Sequence, residues 1–145
     1  MLSEREARYL KIVYKLEKEG WRLVGVQQVA EIVGVSRATA YEVLIRLVEK
    51  KLLVHFPKKG FALSEKGKCV VMRLIRVHRI IETMLVKLFN IPLEEACKCA
   101  AKLELVFPLK TANKIFGAIG EPKCCPHGEP IPSLEECGEV ISNSC

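Results

Sequence analysis

Polar and apolar positions along SEREARYLKIVYKLEKEG follow a helical period. Ala7, Leu10, Val13, Tyr14 and Leu16 make an apolar stripe, Ser3 and Glu6 have capping-box spacing, and Gly20 is a natural terminator. The pattern predicts a helix of about four turns. A shorter amphipathic helix follows on Val26, Val29, Ala30 and Val33, ended by Gly34. Ser36 then caps a longer one with Ala40, Val43, Leu44, Leu47 and Val48 on its buried side. Two helices joined by a tight Gly-Val-Ser corner read as helix-turn-helix.

The period then changes. LLVHFPKKGFALS fits two short strands, near Leu52–Phe56 and Phe61–Ser64, joined by a Pro-Lys-Lys-Gly turn. A basic hairpin directly after a helix-turn-helix is the wing of a winged helix. SEKGKCVVMRLIRVHRIIETMLVKLFN predicts a long helix capped by Ser64. Its apolar positions cover more than one face, as expected of a helix that packs on its own domain and on a second subunit. PLEEACKCAAKLELVF and PLKTANKIFGAIG predict two more helices, each with proline at its first position. The segment from Gly120 holds four of the seven prolines and predicts little regular structure.

Charge sharpens this division. Residues 1–90 hold 18 Lys and Arg against 9 Glu, whereas 91–145 hold 5 Lys against 8 Glu, and Asp is absent throughout. A basic first part suits a polyanion and a slightly acidic second part suits another task. The charged N-terminus has no secretory pattern and no apolar run is long enough to span a bilayer, so a soluble, cytoplasmic chain is expected. No nucleophile–base pair or phosphate loop is visible, and no enzymatic activity is expected.

A recognition helix meets base edges with its N-terminal residues. Here these are Ser36, Arg37, Ala38, Thr39, Tyr41 and Glu42, with Arg46 farther along and Lys58 and Lys59 at the wing tip. Arg37 can bond guanine or phosphate, and Ala38 and Thr39 can touch a thymine methyl. Arg46 is better placed for backbone or an internal ion pair, and the wing lysines for phosphates.

Candidate ligands lie in the second part. His78 and Glu82 are four apart and share a helix face, as do Cys97, Ala101, Glu104 and Leu105 on the next helix. If these helices pack antiparallel, His78, Glu82, Cys97 and Glu104 converge, and their donors suit a first-row transition ion. Singly, His78 reads equally well as a core histidine and Cys97 as a buried thiol. The stretch KCCPHGEPIPSLEEC adds Cys124, Cys125 and His127 as a disulfide staple, a zinc knuckle or part of a sensor site. With seven cysteines, an odd count, and a reducing compartment, the staple is the least favoured.

The order of winged helix, VHRIIE, a helix with A-x3-E and then CPHGEPIP resembles the diphtheria-toxin-repressor family of metal-dependent transcriptional repressors, which includes the manganese-transport regulators. The resemblance runs from about Ala7 to Cys137, in the family's short two-domain form. It implies a homodimer on a palindromic double-stranded DNA operator, with a divalent ion (iron(II), manganese(II) or zinc(II)) as effector. His78 and Glu104 match ligands of one family site, and Glu82, Cys125 and His127 match ligands of a second. Cys97 stands where some members use histidine. Arg8, Lys11, Ala101 and Leu105 replace family ligands, so the usual first-helix site is expected to be lost or rebuilt. The cysteines at 97, 99, 124, 125 and 137 keep an iron–sulfur cluster or a thiol redox switch open as alternatives, with Cys124 as a further candidate ligand. A small metal-binding or redox protein with an incidental basic surface is the competing class. The expected architecture is mostly α: a winged helix-turn-helix DNA-binding domain over residues 1–66, then an all-helical dimerisation and metal-binding domain over 67–145 with an irregular, Cys-rich tail.

Overall fold

A computed structural model describes residues 1–137. They form two compact units, Met1–Val71 and a second that starts at Met72. The first holds α1 (Glu4–Lys18), α2 (Val26–Val33), α3 (Arg37–Glu49), β1 (Leu53–Phe56), β2 (Gly60–Leu63) and the opening turns of α4 (Glu65–Phe89). The rest of α4, α5 (Leu93–Leu103) and α6 (Leu109–Ala118) belong to the second.

The capping box of α1 forms as its sequence predicts: Glu6 N–H donates to Ser3 Oγ at 3.1 Å and Ser3 N–H to Glu6 Oε2 at 2.9 Å. Lys50 Nζ reaches the same carboxylate at 2.6 Å and also donates to the Met1 carbonyl. Burial works to raise the Glu6 pKa, but the bonds from Lys50 and Ser3 outweigh it and hold the carboxyl below its usual range. Ala7, Tyr9, Leu10, Val13 and Leu16 form the buried face of α1. Tyr9, which the predicted stripe lacks, is completely buried, whereas Tyr14 is half-exposed, about 100° around the helix from Val13.

Gly34 ends α2 in the left-handed conformation at φ 80°, which makes the corner into Ser36 and α3. The strands are set one residue from the predicted bounds and pair antiparallel, Leu53 opposite Leu63 and His55 opposite Phe61. The predicted hairpin lacks a third participant. Val24 and Phe61 exchange two backbone bonds of 2.8 Å, so the segment before α2 adds a rung to the wing. Gly60 has to be glycine there, because a Cβ would lie 2.7 Å from the Val24 carbonyl oxygen. Gly67 lets the first turn of α4 sit against Leu52, whose carbonyl oxygen would be 1.9 Å from an added Cβ.

In the second unit, Leu74, Ile75, Val77, Ile80 and Ile81 of α4 are buried, as are Ala96, Ala100 and Ala112 of α5 and α6. Small residues at these positions allow close backbone approach, and each fully buried Leu or Ile contributes about 1.5–3 kcal/mol. Pro92 and Pro108 sit at the N-cap with ψ 139° and 130°, not at the first helical position as expected. A cap residue is extended, and the proline ring sets only φ. Leu88, Phe89 and Val106 remain more than 60% exposed. No helix among the described residues is long and apolar enough to cross a membrane.

The tail is more ordered than its prolines imply. Cys125 N–H donates to the Glu129 carbonyl, Gly128 N–H to that of Cys125 and Ile131 N–H to that of Lys123, closing a tight turn over Cys-Pro-His-Gly. Cys69 and Cys137 are each disulfide-bonded, contrary to the expectation for the Cys-rich stretch. Both are buried, away from solvent reductant. Cys145 lies outside the described residues.

Candidate metal centre and nucleic-acid interface

Ser36, Arg37, Ala38, Tyr41, Glu42, Arg46, Lys58 and Lys59 are exposed and Thr39 is half-exposed. Arg37, Ala38, Tyr41, Lys58 and Lys59 line one cleft of about 760 Å³ between α3 and the wing; Glu42 and Arg46 are not part of its lining. His55, missing from the predicted set, also lines it. Its ring stacks on Phe61 at 4.4 Å and meets the Tyr41 ring edge-on at 6.1 Å. These rings brace α3 against the wing. The Ser36 hydroxyl accepts the Thr39 N–H and donates to Thr39 Oγ1, so Ser36 is engaged as a helix cap, while the Thr39 hydroxyl proton remains available to a phosphate.

The second unit gathers donors from α4, α5 and the tail. His78 and Glu82 lie one turn apart on α4, and His78 Nε2 is 3.3 Å from Glu82 Oε2. Cys97 of α5 places its Sγ 3.6 Å from the same Nε2. Glu104, at the C-terminal cap of α5, bonds the other ring nitrogen, Nδ1, at 2.6 Å. The tail turn brings His127 Nδ1 to 2.9 Å from Glu82 Oε1, with Cys125 beside it. Two groups of potential ligand atoms result, His78–Glu82–Cys97 and Glu82–Cys125–His127. Glu82 is 1% and Glu104 3% exposed. Burial pushes the Cys125 thiol up; backbone N–H groups of Glu129 and His127 pull it back, and the Glu82 carboxylate raises it further.

Two arginines of α4 hold the tail turn in place. Arg76 donates to the Pro132 carbonyl and to Asn113 Oδ1, each at 3.0 Å, with its guanidinium 4.5 Å over the Phe116 ring. Burial lowers its pKa. Arg79 donates to the Pro130 carbonyl. Neither stood out in the sequence, since the tail carbonyls they meet are more than fifty residues away.

The structure does not bring every expected ligand in. Cys124 is exposed and outside both groups, because it is extended opposite Pro130 and adjacent side chains of extended backbone point to opposite faces. Glu104 meets His78 but belongs to neither group. Arg8 of α1 is exposed. Each group holds a single cysteine, whereas iron–sulfur clusters are held by up to four thiolates.

The family model of the iron dependent repressor N-terminal DNA binding domain matches residues 1–61, and that of the iron dependent repressor metal binding and dimerisation domain matches 64–133. The chain belongs to the iron-dependent repressor family. It is 30% identical over 137 residues to the iron-dependent repressor IdeR of Mycobacterium tuberculosis, covering 94% of this chain and 59% of the relative. The manganese regulator SloR superposes with a TM-score of 0.77 at 29% identity, over 89% of this chain and 60% of that one. A hypothetical protein from Sulfolobus solfataricus superposes at 0.73 and 27% identity, over 91% of this chain and all of that one. The chain thus spans about 59% of the length of the curated repressor it matches.

Proposed function

We propose that the chain is a homodimeric, metal-responsive repressor that binds a palindromic double-stranded DNA operator. The observation that carries this reading is the convergence of imidazole, carboxylate and thiolate donors in the second unit of a chain whose first unit sets Arg37 of α3 and the wing lysines, Lys58 and Lys59, around one cleft. The donor set fits a transition ion: one thiolate and one imidazole per group favour zinc(II) or iron(II) over the harder manganese(II). A bound ion would supply a positive charge at the buried Glu82 carboxylate. His78, Glu82 and Cys97 would hold it from the helices, and Cys125 and His127 from the tail.

On the DNA side, Arg37 reads guanine or phosphate, Ala38 and Thr39 contact thymine methyls, and Lys58 and Lys59 neutralise phosphates. The ligands act through α4, a single helix that starts at the wing and carries His78 and Glu82. A preference of about 1–3 kcal/mol for the DNA-competent arrangement changes operator affinity about 5–150-fold. The exposed Leu88, Phe89 and Val106 supply apolar surface for a second copy. No catalytic step is assigned to the chain.

The test is fluorescence anisotropy with a labelled duplex from the region upstream of the chain's own coding sequence, under anaerobic conditions. Binding is expected with zinc(II) or iron(II) and is lost with chelator. No specific binding with any divalent ion would overturn the proposal.

A further inference from the structure

We propose that Glu82 is a bridging carboxylate serving two metal ions at once, one held with His78 and Cys97 and the other with Cys125 and His127. This rests on the reading of both groups as metal ligands and specifies how many ions they take and through which atom they are joined.

Three observations carry it. First, the two oxygens of Glu82 face different partners: Oε2 faces His78 Nε2 at 3.3 Å and Oε1 faces His127 Nδ1 at 2.9 Å. Each oxygen therefore faces its own imidazole, and each imidazole's group adds its own thiol, Cys97 in one and Cys125 in the other. Second, the carboxylate is 1% exposed, flanked on α4 by the buried Ile80, Ile81 and Thr83. A buried carboxylate is costly without compensating charge. The neighbouring Arg79 turns instead to Pro130 and Glu129. Among the described residues the basic side chains that meet Glu82 are His78 and His127, both of which are potential ligands.

Third, the spacing on the His78 side is that of co-ligands. Metal–nitrogen bonds of about 2.0–2.1 Å and metal–sulfur bonds of about 2.3 Å give tetrahedron edges of about 3.3–3.6 Å. The His78–Glu82 and His78–Cys97 separations are 3.3 and 3.6 Å. By contrast, Nδ1 of His78 sits 2.6 Å from Glu104, a hydrogen-bond distance. That bond puts the proton on Nδ1 and turns the Nε2 lone pair toward Glu82 and Cys97, the carboxylate–histidine–metal arrangement. Glu104 is thus a positioning residue acting through His78.

Zinc(II) and cobalt(II) titrations of the whole chain without DNA, with bound metal counted after dialysis, test this. Two ions per chain are expected. The pair C125S/H127A and the pair H78A/C97S should each retain one ion, and E82A should retain neither at micromolar free metal. The cobalt-loaded protein should show a thiolate charge-transfer band that halves in each pair variant. E104Q should weaken only the ion lost in H78A/C97S, about 10–100-fold, with rescue by E104D. Thermal melts of the metal-free variants control for folding, and the single variants H127A and C97S give the same count if a pair variant fails to fold. One ion per chain, abolished by either pair variant, would show a single mixed site and overturn the bridge. So would an E82A variant that keeps one ion. Because DNA is absent, two ions loading without any operator response would sink the repressor reading while leaving the bridge intact.

Discussion

The two units use polar side chains in opposite ways. The winged unit presents its chemistry outward: Arg37, Lys58 and Lys59 are exposed, lie within one short stretch of sequence, and line the same cleft. The second unit gathers its chemistry around a buried carboxylate, with His127 alone exposed among the ligands of the two groups. His78, Glu82, Cys97, Cys125 and His127 come from three segments and share one buried carboxylate. An outward array should fail in proportion to what is removed, whereas an inward network should fail as a unit.

Removing the outward array altogether is the largest expected effect. The triple variant R37A/K58A/K59A should lose at least about 100-fold in operator affinity and reduce the salt slope of log affinity by about 3 per protomer, about 6 for the dimer, one for each lost phosphate contact. Its metal content should not change. Anisotropy across a potassium chloride series gives both quantities, and an unchanged slope would show that these cations do not meet the backbone. Next comes the inward network, struck from outside its ligands. Arg76→Ala removes two bonds and the Phe116 contact while leaving every donor in place. Looser placement of the tail turn should weaken the ion held by Cys125 and His127 about 10-fold and leave the His78 and Cys97 ion within about 2-fold, as read by competitive chelator titration. Equal weakening of both would mean that Arg76 supports the whole unit and not the turn.

The same contrast explains what could be read in the sequence. Ser3–Glu6, Gly34, Ser36 and the wing are set by residues a few positions apart, so their spacing reveals them. His78 and Glu82, one turn apart, are legible for the same reason. The Val24–Phe61 rung, the Arg76 and Arg79 clamps and the outward turn of Cys124 depend on partners set by tertiary folding, and no local period encodes them. Cys125 and His127 entered the ligand set through the family resemblance, since the spacing of Cys-Pro-His-Gly gives no sign of where Glu82 lies.

A smaller effect probes an ion pair in the winged unit. Glu6 has its folded pKa held below the unfolded value, so the unfolded chain binds more protons as pH falls. The stabilisation is therefore full above the unfolded carboxylate pKa and is lost as pH drops through the folded one. Lys50→Met should cost about 1 kcal/mol near neutrality, the scale of a charge-assisted bond to a partly exposed lysine. The gap in Tm between wild type and K50M should close in acid. Metal-free protein keeps the ligands from adding their own titration, and a gap that widens in acid would contradict the sign.

The smallest effect concerns a buried polar atom that breaks the pattern. The carboxylates buried in the second unit are hydrogen-bonded. In the winged unit the Tyr9 hydroxyl is buried and has no hydrogen-bond partner among the described residues. An unsatisfied buried hydroxyl costs part of its hydration, and removing it while keeping the ring avoids a cavity. Tyr9→Phe should therefore leave stability unchanged or raise it by up to about 1 kcal/mol, a shift of a few degrees in Tm. Glu82→Leu in metal-free protein provides the matched comparison. It removes a carboxylate whose partners, His78 and His127, stay behind, and should be destabilising despite its better hydrophobicity. If Y9F instead loses more than about 1 kcal/mol, the hydroxyl is bonded in solution, and the winged unit satisfies its buried polar atoms as fully as the metal-binding one does.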